Sequence, residues 1–334
     1  MALKRIVIVA ALAALAACAP KRTERESSFA DLQFARRSEV PAILTLMPDS
    51  PSARATYDGM VDELGADFDL VPRIVKRKTS VEELARMVDD VKPKAIVVMN
   101  NPTLRLYRQY QIARPAAKRT PVIAVLTSFL RESSEGVQNL TGVIYEVPLV
   151  TSLVNLRTIL KQPLKRVGVL HRPIFGKFIE EQRKLAQTEG FELVGIEVSG
   201  KKRSEIREGL RDLRNEKGVD AIWVLNDNVL LDREMLRKGW LPALRRNRTP
   251  VVVNVRSLLS RDVDFGTFAV LPDHNALGTQ AGQLIGNIAA TNWQVDDAGF
   301  EYPLSVEKVL DVTFARRYLE IEEQQLATID QLVE

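Results

Sequence analysis

Polar side chains follow many of the short apolar runs in this sequence, at positions where they can donate or accept hydrogen bonds. The set consists of Ser50, Asn101, Thr103, Ser128, Asp227, Asn228 and Asn254. All but the aspartate are neutral, and such groups orient a small polar or zwitterionic molecule without covalent chemistry of their own. Each residue has a second interpretation, because Asn, Asp, Ser and Thr after a strand commonly cap a helix or form a turn. Capping is the stronger interpretation for any one residue, and the set as a whole is the better candidate for a ligand site.

Residues for catalysis or for metal binding are scarce. The two histidines, His171 and His274, lie far apart in the chain, and no H-E-x-x-H, calcium-loop or cysteine cluster accompanies them. His171 ends a predicted strand and is a candidate ligand contact, although a surface or turn histidine explains it better. No G-x-S-x-G elbow, P-loop or strand-linked G-x-G-x-x-G occurs. Gly278 and Gly282 favour close helix packing over phosphate binding. The sequence therefore predicts no catalytic residue, no metal site, no cofactor and no enzyme.

The first residues are typical of an export signal that ends at a lipid attachment site. Lys4 and Arg5 precede an apolar stretch, residues 6–17, that is too short to span a bilayer. Leu15-Ala16-Ala17-Cys18 resembles the bacterial lipobox, in which the cysteine is acylated and becomes the new N-terminus. The alternative is a plain or uncleaved secretory signal that happens to end in cysteine.

Cys18 is the only cysteine, so it has no intramolecular disulfide partner. We expect residues 1–17 to be a signal peptide and 18–38 to be a flexible, lipid-anchored tether. The protein would then lie in the periplasm or cell envelope. Ala19 replaces the aspartate that typically retains lipoproteins at an inner membrane, which favours the outer membrane if the host has two.

The chain carries 47 basic and 43 acidic residues, a net charge of +4. These charges are scattered, and no basic block is interleaved with aromatic residues, so the sequence does not predict nucleic-acid binding.

Short β-rich apolar runs alternate with segments of helical period, which predicts an α/β fold with mainly parallel sheets. The predicted strands cover residues 42–47, 70–75, 95–99, 122–126, 166–170, 192–198, 221–225 and 251–255. Ser80 and Glu83 have the spacing of a capping box, and Ser204 precedes a second apolar stripe. A further strand (267–270), a helix (275–288), a last strand (306–312) and a charged C-terminal helix follow. In parallel sheets ligands bind beyond the carboxyl ends of strands, where the polar set lies.

Without the signal peptide and tether, roughly 295 residues remain, which is more than usually fold around a single hydrophobic core. We expect two Rossmann-like doubly wound lobes joined by a multi-strand hinge. Lobe 1 would contain residues 39–147 plus 267–301, and lobe 2 residues 148–266 plus 302–334. The crossovers near 145–150, 261–267 and 301–306 would form the hinge, and such a hinge would allow the lobes to close over a ligand.

Several stretches, taken in order and spacing, resemble the ABC transporter substrate-binding family whose characterised members bind aromatic amino acids. They are Pro51-Ser52-Ala53 through Asp58-Gly59, Asn139-Leu140-Thr141-Gly142-Val143, Arg166-Val167-Gly168-Val169-Leu170, Asp227-Asn228, and Leu277-Gly278-Thr279-Gln280-Ala281-Gly282. The resemblance covers residues 42–313 and implies the type I periplasmic binding protein fold, with a ligand between the lobes and a permease as partner. Matching ligand contacts would be Thr103, Ser128, Asp227, Asn228 and Asn254. Asp227 is the best candidate to pair with a ligand amino group.

The sequence departs from the family in loops expected to face the ligand. Ser128-Phe129-Leu130 stands where the family has Ser-Asp-Pro, Val137-Gln138 where it has Gly-Gly, and Arg172-Pro173 where it has Asn-Pro. The leading hypothesis is a lipid-anchored solute receptor of an ABC importer, for an amino acid or a similar small organic molecule. The alternative is a sensory or envelope accessory lipoprotein on the same fold, which the altered loops and the outer-membrane sorting favour.

Overall fold

The computed structural model describes residues 37–244, 248–260, 263, 265–295 and 299–334. Cys18, the expected signal peptide and nearly all of the expected tether lie outside the described residues. None of the described helices is both long enough and apolar enough to cross a bilayer.

The strands, in chain order, are β1 (Ala42–Met47), β2 (Asp69–Ile74), β3 (Ala95–Met99), β4 (Val122–Val125), β5 (Leu140–Val143), β6 (Arg166–His171), β7 (Glu192–Glu197), β8 (Ala221–Val224), β9 (Val251–Val253), β10 (Phe268–Pro272), β11 (Phe300–Glu301), β12 (Val306–Asp311) and β13 (Gln331–Val333). The α-helices are α1 (Pro51–Leu64), α2 (Val81–Val91), α3 (Asn101–Ala113), α4 (Leu130–Ser133), α5 (Leu149–Ile159), α6 (Gly176–Thr188), α7 (Arg203–Asn215), α8 (Arg233–Met235), α9 (Leu241–Leu244), α10 (His274–Ala290) and α11 (Val312–Tyr318). Short 3-10 turns cover Pro115–Arg119, Pro173–Phe175, Arg256–Leu259 and Glu323–Thr328, and a π turn covers Leu236–Trp240.

The described strands form two sheets, one in each lobe. The first sheet has the order β11-β5-β4-β3-β1-β2, and its strand pairs are all parallel. The second sheet has the order β13-β12-β10-β9-β8-β6-β7 and is parallel except for the β10–β12 pair. Parallel sheets of this kind have helices on both faces, so their strands are buried on both sides. The predicted α/β class with two lobes is confirmed.

Many helix and strand positions follow from local signals. Strands β1 and β3 begin and end where the apolar runs predicted them. The capping box at the start of α2 is present, because the Ser80 hydroxyl accepts from the Glu83 amide and the Glu83 carboxylate accepts from the Ser80 amide. Strands β5, β11 and β13 were not predicted. In place of one charged C-terminal helix the structure has α11, a 3-10 turn and β13.

Strand β10 corrects the expected lobe boundary. It pairs with β9 and β12, so it belongs to the second sheet, whereas the sequence analysis assigned residues 267–301 to lobe 1. Helix α10 packs on α1 of lobe 1. The chain therefore crosses between the lobes at Asp273 and not at residues 261–267. We refer to residues 144–148, Asp273 and residues 302–305 as the connecting segments.

Glycine permits the close contact between α1 and α10. A Cβ added to Gly278 would lie 1.9 Å from the Thr56 carbonyl oxygen, and one added to Gly59 would lie 2.0 Å from the Asn275 carbonyl oxygen. Both distances are far below van der Waals contact. The prediction that Gly278 and Gly282 serve helix packing is confirmed, since an added Cβ at Gly282 would also lie 2.9 Å from the Glu63 side chain.

Candidate functional site

The two lobes meet where the carboxyl ends of their strands face one another. The loop after β4, in lobe 1, reaches the loop after β8, in lobe 2. The amide group of Asn226 donates to the Ser128 hydroxyl across this junction, at 3.1 Å. This is the edge at which the topology of parallel α/β sheets predicts ligand binding.

Asn101 fixes the loop after β4. Its amide nitrogen donates to the Ser128 carbonyl oxygen and to the Ser133 hydroxyl, both at 2.8 Å, and its amide oxygen accepts from the Ser128 amide at 3.0 Å. Two residues of the loop, Leu126 and Phe129, have φ values of 55° and 50°. Such conformations cost side-chain-bearing residues about 1–2 kcal/mol and persist only where the surroundings enforce them. Asn101 is therefore a residue that shapes the loop, and its amide is already engaged there.

The remaining residues of the predicted set lie in different surroundings. Ser50 caps α1 by accepting from the Ala53 amide at 3.3 Å, and Thr103 is buried in the first turn of α3. Asn228 is exposed beside Asp227, and Asn254 is half-buried just after β9. The structure brings Asn101 and Ser128 together and places Ser128 against the loop that holds Asp227.

Arg172 pairs with Asp227 inside lobe 2. Its Nε donates to one carboxylate oxygen at 2.7 Å and its Nη2 to the other at 2.9 Å. The Asp227 side chain is 1% exposed, and it also accepts from the Val229 amide at 2.9 Å. A bidentate guanidinium is the strongest partner a protein offers a carboxylate. Asp227 thus holds a protein cation at the position where the family resemblance expects a ligand amino group.

Phe129 extends from lobe 1 into an aromatic cluster on lobe 2. Its ring centroid lies 4.4 Å from that of Phe175 and 5.3 Å from that of Phe178, and Phe178 lies 6.1 Å from Trp223. The Arg172 guanidinium lies 5.4 Å from the centre of the Phe175 ring. Phe129 and Arg172 are two of the departures from the family pattern, and both fill space between the strand ends.

A recess that is open to solvent lies beside this aromatic cluster. Lobe 1 contributes the first turn of α4, and lobe 2 contributes Phe178 and Glu181 of α6. The connecting segments contribute Ile144, Glu146 and Tyr302. A molecule bound here would touch both lobes and two of the segments that join them.

Glu146 is the functional candidate that the sequence analysis missed. It is 6% exposed, and one carboxylate oxygen accepts from the Phe129 amide at 2.9 Å. The other oxygen has no hydrogen-bond partner among the described residues. Burial raises the pKa of Glu146 to about 7, against the opposing effect of the bond from Phe129. The available signal was a glutamate within the apolar run Val143-Ile144-Tyr145-Glu146-Val147.

The neighbouring residue Tyr145 ties the same connecting segment to α10. Its hydroxyl lies 3.1 Å from Nε2 of His274, and the two rings stack at 6.0 Å. Burial raises the pKa of Tyr145 and lowers that of His274, so both groups are neutral at pH 7. His274, the first residue of α10, thus hydrogen-bonds to a connecting segment, and His171 contacts the carbonyl oxygen of Arg172 at 3.2 Å. Among the residues that the structure describes, no group of His, Cys, Asp or Glu is arranged to hold a metal ion.

Comparison with solved structures identifies the architecture. CD0873 from Clostridium difficile, a substrate binding protein with adhesive properties in its ligand-free, open form, has a TM-score of 0.64 at 17% identity, over 88% of this chain and 99% of that chain. The chain has the type I periplasmic binding protein fold. A conserved domain protein from Vibrio cholerae has a TM-score of 0.55 at 18% identity, over 88% and 99% of the two chains.

A third periplasmic-binding-fold structure is the ABC domain from Streptococcus pneumoniae in complex with L-Trp. It has a TM-score of 0.53 at 18% identity and covers 87% of this chain and 100% of that chain. No protein-family model matches this sequence, and neither does any curated protein. At these identities the likeness defines the fold, and the ligand must be argued from the chain's own residues.

Proposed function

We propose that this protein is an extracytoplasmic binding protein for a small organic molecule, serving an ABC importer, with its ligand between the two lobes. The observation that carries this proposal is the recess formed by α4, α6 and two connecting segments. A ligand in contact with both lobes favours the arrangement in which they are close together, which is how two-lobed receptors couple binding to closure. The Streptococcus pneumoniae structure with L-Trp supports a small organic ligand on this fold.

Membrane attachment is the second part of the proposal. The lipobox-like sequence at Cys18 and the polar stretch after it support a lipid-anchored protein in the periplasm or cell envelope. Metabolic labelling with a radioactive or clickable fatty acid tests this part. The label should enter the wild-type protein and should be absent from Cys18→Ser.

The binding function is tested by thermal unfolding of the full chain in neutral detergent, followed by tryptophan fluorescence. Amino acids, amines, nucleosides, sugars and organic acids are added one at a time. A ligand at a hundred times its Kd should stabilise the protein by about 2.7 kcal/mol. Phe178→Leu, in the recess, should abolish the shift, whereas Phe314→Leu, far along the chain in α11, should retain it.

One observation favours the alternative, a sensory or envelope accessory lipoprotein on the same fold. Phe129 and the Arg172–Asp227 pair occupy the space between the strand ends with protein groups. If no compound shifts the unfolding midpoint of the well-folded wild type, the transport proposal fails and the accessory role becomes the better one. A protein partner captured by crosslinking in intact cells, and lost on Phe129→Ala, would then support that role.

A further inference from the structure

The walls of the recess carry an excess of negative charge. Three carboxylates, those of Glu132, Glu146 and Glu181, line it together with one guanidinium, that of Arg131. The Arg131 guanidinium lies 5.9 Å from the centre of the Phe300 ring and is exposed, so it is in part engaged elsewhere. With all of these groups ionised the recess is negative, and an anionic ligand would be repelled.

The recess is also aromatic. Phe129, Phe178 and Tyr302 contribute rings from lobe 1, from lobe 2 and from a connecting segment. The face of an aromatic ring carries partial negative charge and attracts organic cations. The rings and the carboxylates that line the recess therefore favour the same kind of ligand.

Glu146 supplies an unsatisfied polar group within this recess. Its oxygen without a partner costs free energy unless it is protonated or meets a donor, because a buried charge without compensation is strongly unfavourable. An ammonium group has several N–H donors and a positive charge. It can therefore donate a hydrogen bond to the free oxygen of Glu146 and also compensate the charge of the carboxylate.

We propose that the recess binds a small organic cation, a primary ammonium on an aromatic or aliphatic body, with Glu146 as its counter-ion. The inference rests on the proposed binding function and specifies its ligand class. Glu181 and Glu132, nearer the solvent, complete the negative wall, and the Phe129 amide holds the Glu146 carboxyl in position.

Binding of the cation is linked to loss of a proton from Glu146. The raised pKa of about 7 means that the free carboxyl is largely protonated at pH 6, and the cation requires the ionised form. The groups that face Glu146 are Arg131, Glu132, Glu181 and the adjacent Tyr145. Affinity should therefore be about tenfold higher at pH 8 than at pH 6.

Isothermal titration calorimetry of the full chain in neutral detergent tests the proposal with phenethylammonium chloride as the probe. Phenylacetate, 2-phenylethanol and L-phenylalanine have the same ring and serve as the anionic, neutral and zwitterionic comparisons. Phenethylammonium should bind, more tightly at pH 8 than at pH 6, and should bind at least tenfold more tightly than the anion and the neutral alcohol. Glu146→Gln should weaken binding at least tenfold and remove the pH dependence. Glu208→Gln, an exposed glutamate on α7, should do neither.

Two outcomes overturn the proposal in different ways. If the alcohol, the anion or the amino acid binds as tightly as phenethylammonium, or if Glu146→Gln binds it unchanged, the cation class is wrong. Should one of these compounds bind and lose affinity on Phe178→Leu, the recess remains the ligand site and the broader binding function stands. If neither the probe nor any compound of the thermal screen binds, both the ligand class and the binding function are refuted.

Discussion

Replacement of Glu146 by glutamine should change how the stability of the protein depends on pH. In the folded state the pKa of Glu146 is about 7, compared with 4.5 for an ordinary glutamate. The folded protein therefore holds a proton between these two pH values that the unfolded chain releases. Stability from this group is fully present below pH 4.5 and is lost as pH rises to about 7.

The size of the effect follows from the shift. One pKa unit corresponds to about 1.4 kcal/mol, so a rise from 4.5 to about 7 corresponds to about 3 kcal/mol. Glutamine retains an acceptor for the Phe129 amide and carries no charge at any pH. Relative to wild type, Glu146→Gln should be close in stability at pH 4.5 and more stable by about 3 kcal/mol at pH 8.

Urea unfolding followed by tryptophan fluorescence, at several pH values from 4.5 to 8, measures this difference. Subtraction of the wild-type plot of unfolding free energy against pH from that of Glu146→Gln removes the contributions of the other titrating groups. Glu208→Gln serves as the matched control, and its difference from wild type should be flat. A flat difference for Glu146→Gln as well would refute the reasoning, because it would mean that folding does not raise the pKa of Glu146.

Other substitutions test the packing and the ion pair by urea or thermal unfolding. Gly278→Ala should destabilise the protein, because its Cβ would lie 1.9 Å from a carbonyl oxygen of α1. Gly286→Ala in the same helix meets nothing within 4 Å and should be neutral or slightly stabilising. Arg172→Ala should cost about 3 kcal/mol, since it leaves a buried carboxylate without its cation, whereas Arg203→Ala, in an exposed pair, should cost under about 1 kcal/mol. Ser80→Ala should cost about 1 kcal/mol through loss of the α2 cap.

The sequence predicts individual elements better than their assembly. Strand β1 could be located because its apolar run ends in Pro48 and a capping serine, and α2 because its capping box is local. Strand β10 is apolar throughout and buried on both faces. Such a pattern indicates a central strand and contains no information about which sheet it joins. Its partner β9 is the strand just before it, but the helix that follows it, α10, packs on lobe 1, and no residue between β9 and α10 indicates where the chain changes lobes.

The candidate site shows the same limit at the level of side chains. The sequence shows that Asn101 is a polar residue after a strand. It does not show that the Asn101 amide donates to Ser128 and Ser133 and so holds the loop in place. Sequence position indicates which side chains reach an edge of the sheet. It does not indicate which of these side chains already make their hydrogen bonds within the protein. The ligand contacts expected for all seven residues of the set stay predictions: Ser50, Asn101, Thr103, Ser128, Asp227, Asn228 and Asn254.

Phe129 and Arg172 are the reason that we propose the recess, and not the junction of the strand ends, as the ligand site. Arg172 neutralises Asp227, and displacement of this cation by a ligand ammonium would exchange a bidentate bond for a weaker one. The Phe129 ring fills the adjacent space against Phe175 and Phe178. Among the described residues, no protein cation pairs with Glu146, and one of its carboxylate oxygens has no hydrogen-bond partner. The Phe129 ring closes the junction, and the main-chain amide of the same residue orients Glu146, so residue 129 contacts both the closed junction and the recess.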